Sequence, residues 1–136
     1  MRLVFDTNVL VSALLTPGGT SDRALRAAVA IGATFLYDER MLAEYRAVLS
    51  RPKFRVAIAP PLIERLVSGL IASGEKIAAL RADLALPDPD DTPFLEVALT
   101  GRADALVTGN ARHFQPSHGV TVISPSGLLK LLTLHE

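Results

Sequence analysis

The sequence predicts an α/β fold in which a parallel sheet carries helices on both faces. Short apolar runs rich in β-branched residues alternate along the chain with longer segments whose apolar residues recur at helical spacing. Most of these short runs end at a polar group or a turn, as buried strands do. The 136 residues are 49% hydrophobic and 21% charged, so we predict one well-buried domain over residues 1–136.

The composition excludes several classes of protein. The absence of cysteine excludes disulfides, thiolate metal sites and cysteine nucleophiles, and it fits a reducing cytoplasm. Fourteen basic residues balance fourteen acidic ones, which excludes a polycation that binds nucleic acid by bulk charge but allows a local basic patch. No apolar run approaches the ~20 residues that span a bilayer, and the stretch 10–15 lacks the basic region of a signal peptide. We therefore expect a cytoplasmic protein without a membrane partner.

The first predicted unit is a strand followed by a helix. Residues 3–5 form a short apolar run that ends in the polar group Asp6-Thr7-Asn8, which indicates a buried strand that stops at a surface. Residues 9–15 are helical in composition. The tripeptide Pro17-Gly18-Gly19 breaks this helix.

A second helix and a second strand follow. Ser21 or Asp22 is predicted to cap a helix that runs through Ala30, and Gly32 is predicted to end it. Residues 34–37, Thr-Phe-Leu-Tyr, have the composition of a strand. The chain thus returns to the sheet after its second helix.

Proline residues bound the next two helices. Asp38 occupies an N-cap position, and the apolar residues after it recur at helical spacing until Pro52 interrupts them. Pro60 and Pro61 open another helix, whose apolar stripe runs from Leu62 to Leu70. This stripe fits either the core or a surface for dimerisation.

The last part of the chain gives two further strands. Residues 76–86 fit either a strand or a loop, and residues 87–91 form a rigid acidic turn that leads into a helix ending at Gly101. Residues 105–108 are a third predicted strand. The final predicted elements are a fourth strand at residues 120–124 and a last helix at residues 125–132.

Polar residues lie just beyond the ends of two of the predicted strands. Asp6 follows the first strand and Asn110 follows the third. Ligands bind beyond the carboxyl ends of parallel strands, so these two residues are candidates for a site. A cap on the following helix is an equally good explanation for Asp6 alone.

The acidic turn favours a functional site. Asp88, Asp90 and Asp91 are close enough to repel one another, and helix capping explains one acid rather than three. Glu44 adds a carboxylate on a helix, although an exposed glutamate is the simpler interpretation of that residue alone. Together with Asp6 these oxygens suit Mg²⁺ or Mn²⁺, which prefer carboxylate and water ligands.

Other catalytic schemes have less support. The sequence contains no phosphate-binding P-loop, dinucleotide fingerprint, zinc protease motif or serine hydrolase elbow. His113, His118 and His135 lack the spacing of metal ligands. A carboxylate metal site is therefore the best-supported chemistry.

The chain resembles the PIN-domain ribonucleases, in particular the VapC-like toxins of bacterial toxin–antitoxin pairs. Residues 3–13 (LVFDTNVLVSA), Glu44, residues 88–98 and residues 103–114 (ADALVTGNARHF) carry the resemblance, which spans nearly the whole chain in order. It implies a three-layer α/β/α sandwich with a mostly parallel sheet. It also implies an RNA phosphodiesterase that depends on Mg²⁺ or Mn²⁺, an antitoxin partner and a homodimer.

The resemblance also implies roles for individual residues. Asp6, Glu44 and Asp91 match the metal-binding acids of the family, and Asp90 adjoins them. The family often has a fourth acid where this chain has Asn110. An amide there orients a water or a phosphate oxygen without neutralising a cation, so we expect a second ion to bind weakly, unless Asn110 only caps the next turn.

Basic residues cluster near Glu44 in the sequence. Those expected to bind RNA phosphates are Arg46, Arg51, Lys53 and Arg55, and a solvated helix face is an equally good explanation for them. The main alternative to a ribonuclease toxin is a PIN-like module that binds RNA or acts as a scaffold without cleavage. A Mg²⁺-dependent phosphohydrolase acting on small phosphate esters is a more distant alternative.

Overall fold

A computed structural model describes residues 1–133. This part of the chain contains five strands and six helices. The strands are β1 (Arg2–Phe5), β2 (Thr34–Tyr37), β3 (Gly74–Lys76), β4 (Ala105–Val107) and β5 (Val122–Ile123). The helices are α1 (Thr7–Leu15), α2 (Thr20–Ala30), α3 (Glu39–Leu49), α4 (Pro60–Ala72), α5 (Thr92–Thr100) and α6 (Pro125–Thr133). Short 3₁₀ turns occupy Pro52–Phe54, Pro89–Asp91 and Ala111–Phe114.

The strands form one parallel sheet in the order β3-β2-β1-β4-β5. β1 is central, and Leu3, Val4 and Phe5 are at most 2% exposed. Because successive side chains of a strand point to opposite faces, this burial means that both faces of the sheet are covered. The predicted α/β fold with a parallel sheet is confirmed.

The helices pack in two groups. Helices α1, α2 and α6 pack against one another through α2, whereas α5 lies against β1, β2 and β4. Helix α3 contacts α1, α4 and α5. None of the helices in residues 1–133 combines the length and apolar character needed to cross a bilayer.

The sequence interpretation missed the edge strand β3. It left residues 76–86 open between strand and loop, whereas the strand lies at Gly74–Lys76 and the chain after it is irregular. Gly-Glu-Lys has low strand propensity, so local composition hides the strand. Gly74 fits because a Cβ there would lie 2.4 Å from the carbonyl oxygens of both Leu70 and Phe35.

The predicted cap of α2 is also wrong. The helix begins at Thr20 with Gly19 at the N-cap, and no side chain caps it. The carboxylate of Asp22 instead accepts a hydrogen bond from the Gly18 N–H (2.8 Å) and pairs with Arg26. The predicted cap of α3 is confirmed, because Asp38 accepts a bond from the Met41 N–H (3.0 Å).

The apolar stripe of α4 belongs mainly to the core. Ile63, Val67 and Leu70 are buried, and Leu66 is half-buried against the core. Leu62 alone of the predicted stripe is exposed. Little of this stripe is therefore left for a dimer contact.

Glu96 on α5 anchors the loop that leads to the acidic turn. Its side chain is 3% exposed, and Oε1 accepts a hydrogen bond from Arg40 (2.7 Å). Oε2 accepts a bond from the backbone N–H of Ala82 in the loop (2.6 Å). Arg40 also pairs with the capping carboxylate of Asp38 (2.7 Å). One buried carboxylate thus joins α3, α5 and the loop.

Replacing Glu96 by alanine should destabilise the fold strongly. Glu96→Ala leaves the Arg40 guanidinium with one of its two carboxylate partners and the Ala82 N–H without an acceptor, so we expect a loss of about 3 kcal/mol. Urea denaturation measures the free energy of unfolding. The matched control is Glu64→Ala, which removes an exposed ion pair with Arg46 and should cost less than about 1 kcal/mol. Equal losses in both variants would contradict the anchoring role.

Candidate active site

A crevice opens where the strand order reverses, between the carboxyl ends of β1 and β4. Asp6 follows β1 and Thr108 follows β4, and both side chains are buried. The Thr108 hydroxyl donates a hydrogen bond to Oδ2 of Asp6 (2.7 Å). This edge of a doubly wound sheet is where such folds bind ligands.

The carboxylate of Asp6 does not cap the helix that follows it. Asp6 occupies the N-cap position of α1, but its side chain makes no capping hydrogen bond. Asn8, the other candidate cap, accepts instead from the Gly109 N–H (3.3 Å). Burial raises the pKa of Asp6, and the Thr108 bond offsets this rise only in part. The fold therefore maintains an acid here that helix capping does not explain.

Thr108 is a site residue that the sequence interpretation missed. The sequence predicts Thr108 only as the last residue of a strand. Its signal was available, because it is a polar residue closing an apolar run at the same edge as Asp6. Only the pairing of β1 with β4 brings the two side chains together.

Helix α3 is fixed beside Asp6 by its tyrosine. The buried hydroxyl of Tyr45 donates to the backbone carbonyl of Phe5, the residue before Asp6. Burial first, and the nearby carboxylates of Asp6 and Asp38 second, raise the pKa of Tyr45, so its hydroxyl stays a donor. Glu44, the adjacent residue, is half-buried and faces the same crevice.

The acidic turn assigns different tasks to its acids. Asp88 accepts from the Asp90 N–H (2.9 Å) and so caps the 3₁₀ turn, while Asp90 itself is exposed. Asp91 makes no capping bond, and its buried Oδ2 has no hydrogen-bond partner in the described part of the chain. Burial, followed by the charges of Asp6 and Asp88, raises the pKa of Asp91 to about 6.

The crevice is an open cavity of about 330 Å³. Its charged and ionisable lining residues are Asp6, Glu44, Arg51, Asp88, Asp91 and His113. Three of the four acids predicted to bind a metal, Asp6, Glu44 and Asp91, thus come together from separate parts of the chain. Asp90 and Asn110 are not among the lining residues.

Asn110 neither lines the cavity nor caps the next turn through its side chain. Its amide nitrogen Nδ2 lies 3.0 Å from Nε2 of His113, and its backbone N–H donates to the Thr108 hydroxyl (3.1 Å). His113 places Nδ1 3.8 Å from Oδ2 of Asp91. His113 is a second residue that the sequence interpretation missed, since its spacing to the other histidines gave no signal.

The predicted basic cluster separates in space. Arg51 lines the cavity, whereas Arg46 pairs with Glu64 (3.2 Å) away from it. The ammonium of Lys53 lies over the ring of Phe54, 5.1 Å from its centroid. Arg55 is exposed and outside the lining. Arg51 is therefore the member of the cluster best placed to meet a ligand in the cavity.

The residues present suit a divalent cation, although their side chains are not already arranged around one position. Within residues 1–133 no group of three or more histidine, cysteine or acidic side chains surrounds a common metal point. However, Asp91 has a buried carboxylate oxygen without a hydrogen-bond partner among the described residues. The like charge of Asp6 repels this carboxylate. Oxygen ligands of this charge are those that Mg²⁺ and Mn²⁺ prefer.

Comparison with known families identifies the fold family. A sequence model of the PIN domain matches residues 2–112. The chain belongs to the PIN domain family. PIN domains are generally nucleases, so the membership supports a nuclease.

A solved structure shares the fold of this PIN domain. A chain in the crystal structure of VapBC2 from Rickettsia felis, bound to a DNA fragment from their promoter, superposes with a TM-score of 0.60 at 16% identity. The match covers 91% of this chain and 98% of that one. No curated protein sequence matches the chain.

The stability of the metal-free protein should fall as the pH rises. The folded pKa of Asp91 lies above its ordinary value of 3.8, so the native state binds more protons than the unfolded state between about pH 4 and pH 6. Each pKa unit is worth about 1.4 kcal/mol, and solvent screening of this partly exposed carboxylate lowers the expected loss to roughly 1–2 kcal/mol. Denaturation in chelator at pH 4.5 and pH 7.5 measures it.

Two variants test the origin of this pH dependence. Asp91→Asn should remove most of it, whereas Asp90→Asn should change it little, because Asp90 is exposed and its charge is the smallest of the contributions that raise the pKa of Asp91. If the free energy of unfolding changed with pH equally in wild type and Asp91→Asn, the pH dependence could not be assigned to Asp91.

Proposed function

We propose that this PIN domain is a Mg²⁺- or Mn²⁺-dependent endoribonuclease and the toxin of a toxin–antitoxin pair. One observation carries the proposal: Asp6, Glu44 and Asp91, from three different elements, line one cavity at the carboxyl edge of the sheet. Membership of a family of nucleases supports cleavage of a phosphodiester. The carboxylate ligands support a hard divalent cation.

Asp6, Glu44 and Asp91 would hold the cation. The hydroxyl of Thr108 fixes Oδ2 of Asp6, and the unpartnered Oδ2 of Asp91 is available as a ligand. We do not include Asp90, because it is exposed and outside the cavity. When bound, a divalent cation supplies charge neutralisation at the phosphate and activates water for attack on phosphorus.

Arg51 would bind the RNA backbone beside the acids. Its guanidinium matches the geometry of phosphate oxygens, and it offsets the repulsion between RNA and the carboxylates. RNA hydrolysis requires a water oxygen to bond to phosphorus while one ester P–O bond breaks. The departing oxygen takes up the proton that the water loses. The chain's contribution would be to hold the phosphate at the acids, with Arg51 beside it.

An antitoxin and a second copy of the chain are the proposed partners. The structural neighbour belongs to the VapBC2 assembly, which supports a cognate antitoxin for this protein. We expect the chain to act in the cytoplasm, where RNA substrates are present. Induced expression should stop bacterial growth, and co-expression of the product of an adjacent small reading frame should restore it. Light scattering tests the proposed dimer.

Asp6→Asn should abolish cleavage while the fold persists. It removes a ligand charge from the cavity but keeps a group that the Thr108 hydroxyl can bond, so we expect cleavage to fall by about 10³-fold or more. Cleavage of single-stranded RNA is measured with and without Mn²⁺, and calorimetry measures Mn²⁺ binding. The control is Asp83→Asn, an exposed loop acid outside the cavity lining.

Each outcome of this experiment distinguishes the alternatives. Equal Mn²⁺ affinity in wild type and Asp6→Asn would overturn the metal assignment. RNA binding without cleavage would favour a PIN-like module that binds RNA without cutting it. This is the main alternative because Asn110 stands where an acid is common. Turnover of small phosphate esters alone would favour a phosphohydrolase.

Arg51→Ala should weaken RNA binding more than Arg55→Ala. Loss of one phosphate contact raises KM, leaves kcat nearly constant and lowers the slope of log K against log salt by about 0.7 for single-stranded RNA. Arg55 is the matched control because it has the same charge but lies outside the cavity lining. Identical salt dependences for the two variants would show that Arg51 belongs to a solvated face.

A further inference from the structure

The turn after β4 connects Asp6 to Asp91 through three short polar contacts and one longer approach. The Thr108 hydroxyl donates to Asp6 and accepts from the backbone N–H of Asn110. The side chain of Asn110 meets Nε2 of His113 at 3.0 Å, and the other ring nitrogen lies 3.8 Å from Asp91. The acid that the family often has at position 110 is absent, and an amide faces an imidazole instead.

The two contacts of the His113 ring select one tautomer. The Asp91 carboxylate lies 3.8 Å from Nδ1, which is too far for a hydrogen bond, but its charge favours a proton on Nδ1 and leaves that N–H available to a ligand. Nε2 of a neutral ring is then an acceptor, and the amide nitrogen of Asn110 is the donor that it needs. The reverse arrangement would aim the lone pair of Nδ1 at the carboxylate of Asp91. The amide therefore has a task that a carboxylate at position 110 cannot perform.

We propose that His113 is a further catalytic residue that donates a hydrogen bond from Nδ1 to the RNA phosphate, and that Asn110 is a positioning residue that holds the ring in the required tautomer. This proposal rests on the proposed ribonuclease function. It also replaces the expectation that Asn110 itself acts on water or phosphate.

The composition of the cavity explains why such a donor is useful. Four of its six charged or ionisable lining residues are acids, and Arg51 and His113 are the side chains among these six that can donate to a phosphate. A fixed donor stabilises the charge that develops on the phosphate oxygens during attack. His113 is half-exposed, with 49% of its side chain accessible, so RNA can reach it.

The tautomer can be measured without any enzymatic activity. Long-range ¹H–¹⁵N spectra of the metal-free protein, at a pH where the rings are neutral, identify which nitrogen carries the proton. We expect Nδ1–H for His113 in the wild type and a shift toward Nε2–H in Asn110→Ala and in Asn110→Asp. The His113→Ala variant identifies the His113 signals. His118, which contacts the carbonyl of Leu84, is the internal control and should not change.

The kinetic test replaces His113 by side chains whose amide donor lies near one or the other of the two ring nitrogens. His113→Ala should lower kcat by about 10–100-fold, the value of one hydrogen bond to a charged group, with a smaller change in KM. His113→Asn places an amide donor near the position of Nδ1 and should restore part of kcat, whereas His113→Gln, whose donor lies near Nε2, should not. Adding Asn110→Ala to His113→Ala should cause no further loss, because Asn110 acts through the ring.

The outcomes separate this proposal from the function on which it rests. Nε2–H in the wild type, or the same tautomer in wild type and Asn110→Ala, would overturn the positioning role. Equal rescue by the two isosteres, or additive losses in the double variant, would overturn the catalytic role of His113. If the wild type cleaves no RNA, the proposed function and the phosphate contact fail together, and the spectra still decide the role of Asn110.

Discussion

The buried carboxylate of Asp6 at the end of the central strand is the constraint on which this structure depends. A carboxylate in a low-dielectric environment is costly unless hydrogen bonds or a counter-charge stabilise it. The Thr108 hydroxyl supplies one bond because β1 and β4 are parallel neighbours and end at the same edge. A second acid, Asp91, adds repulsion at the same cavity. The fold thus stores unfavourable electrostatic energy at the place where a cation would relieve it.

Three hydrogen bonds, one from Tyr45 and two to the carboxylate oxygens of Glu96, hold the rest of the site against this repulsion. Tyr45 ties α3 to the carbonyl of Phe5, which places Glu44 beside Asp6. Glu96 connects Arg40 on α3 to the loop that leads to the acidic turn. These contacts involve backbone atoms and desolvated charges, so they resist small displacements better than surface ion pairs do. Rigid supports of this kind keep acids close together without a bound cation.

The electrostatics of the cavity suit the proposed binding of a polyanion together with a cation. Acids dominate the lining and would repel a phosphate, while Arg51 and the imidazole of His113 supply donors at the same cavity. The amide of Asn110 fits this arrangement because it gives a hydrogen bond to the imidazole. A zero net charge is compatible with nucleic-acid binding when a cationic side chain such as Arg51 stands at the site itself.

The sequence by itself determined the class of fold, and it singled out acids that the structure places in one cavity lining. Apolar runs and helical spacing predicted four of the five strands and the parallel sheet, and polar residues after strands identified Asp6 and the acidic turn. These signals are local, because the apolar pattern of a strand or helix and the residue types at its ends are read from near neighbours in the chain. The strand β3 was missed since Gly-Glu-Lys pairs through its backbone at an edge, which composition does not report.

Only the tertiary structure decided which acids face the cavity and which side chains support them. Local pattern alone does not separate Asp88, Asp90 and Asp91, yet Asp88 caps a turn, Asp90 lies outside the cavity lining, and Asp91 keeps a buried oxygen without a partner among the described residues. Thr108 gains its role from a contact across 102 residues. Arg51, which lies beyond the end of α3, lines the cavity, whereas Arg46 on α3 pairs with Glu64. Such differences arise from packing between distant elements, and no local pattern encodes the direction in which a side chain will point once those elements meet.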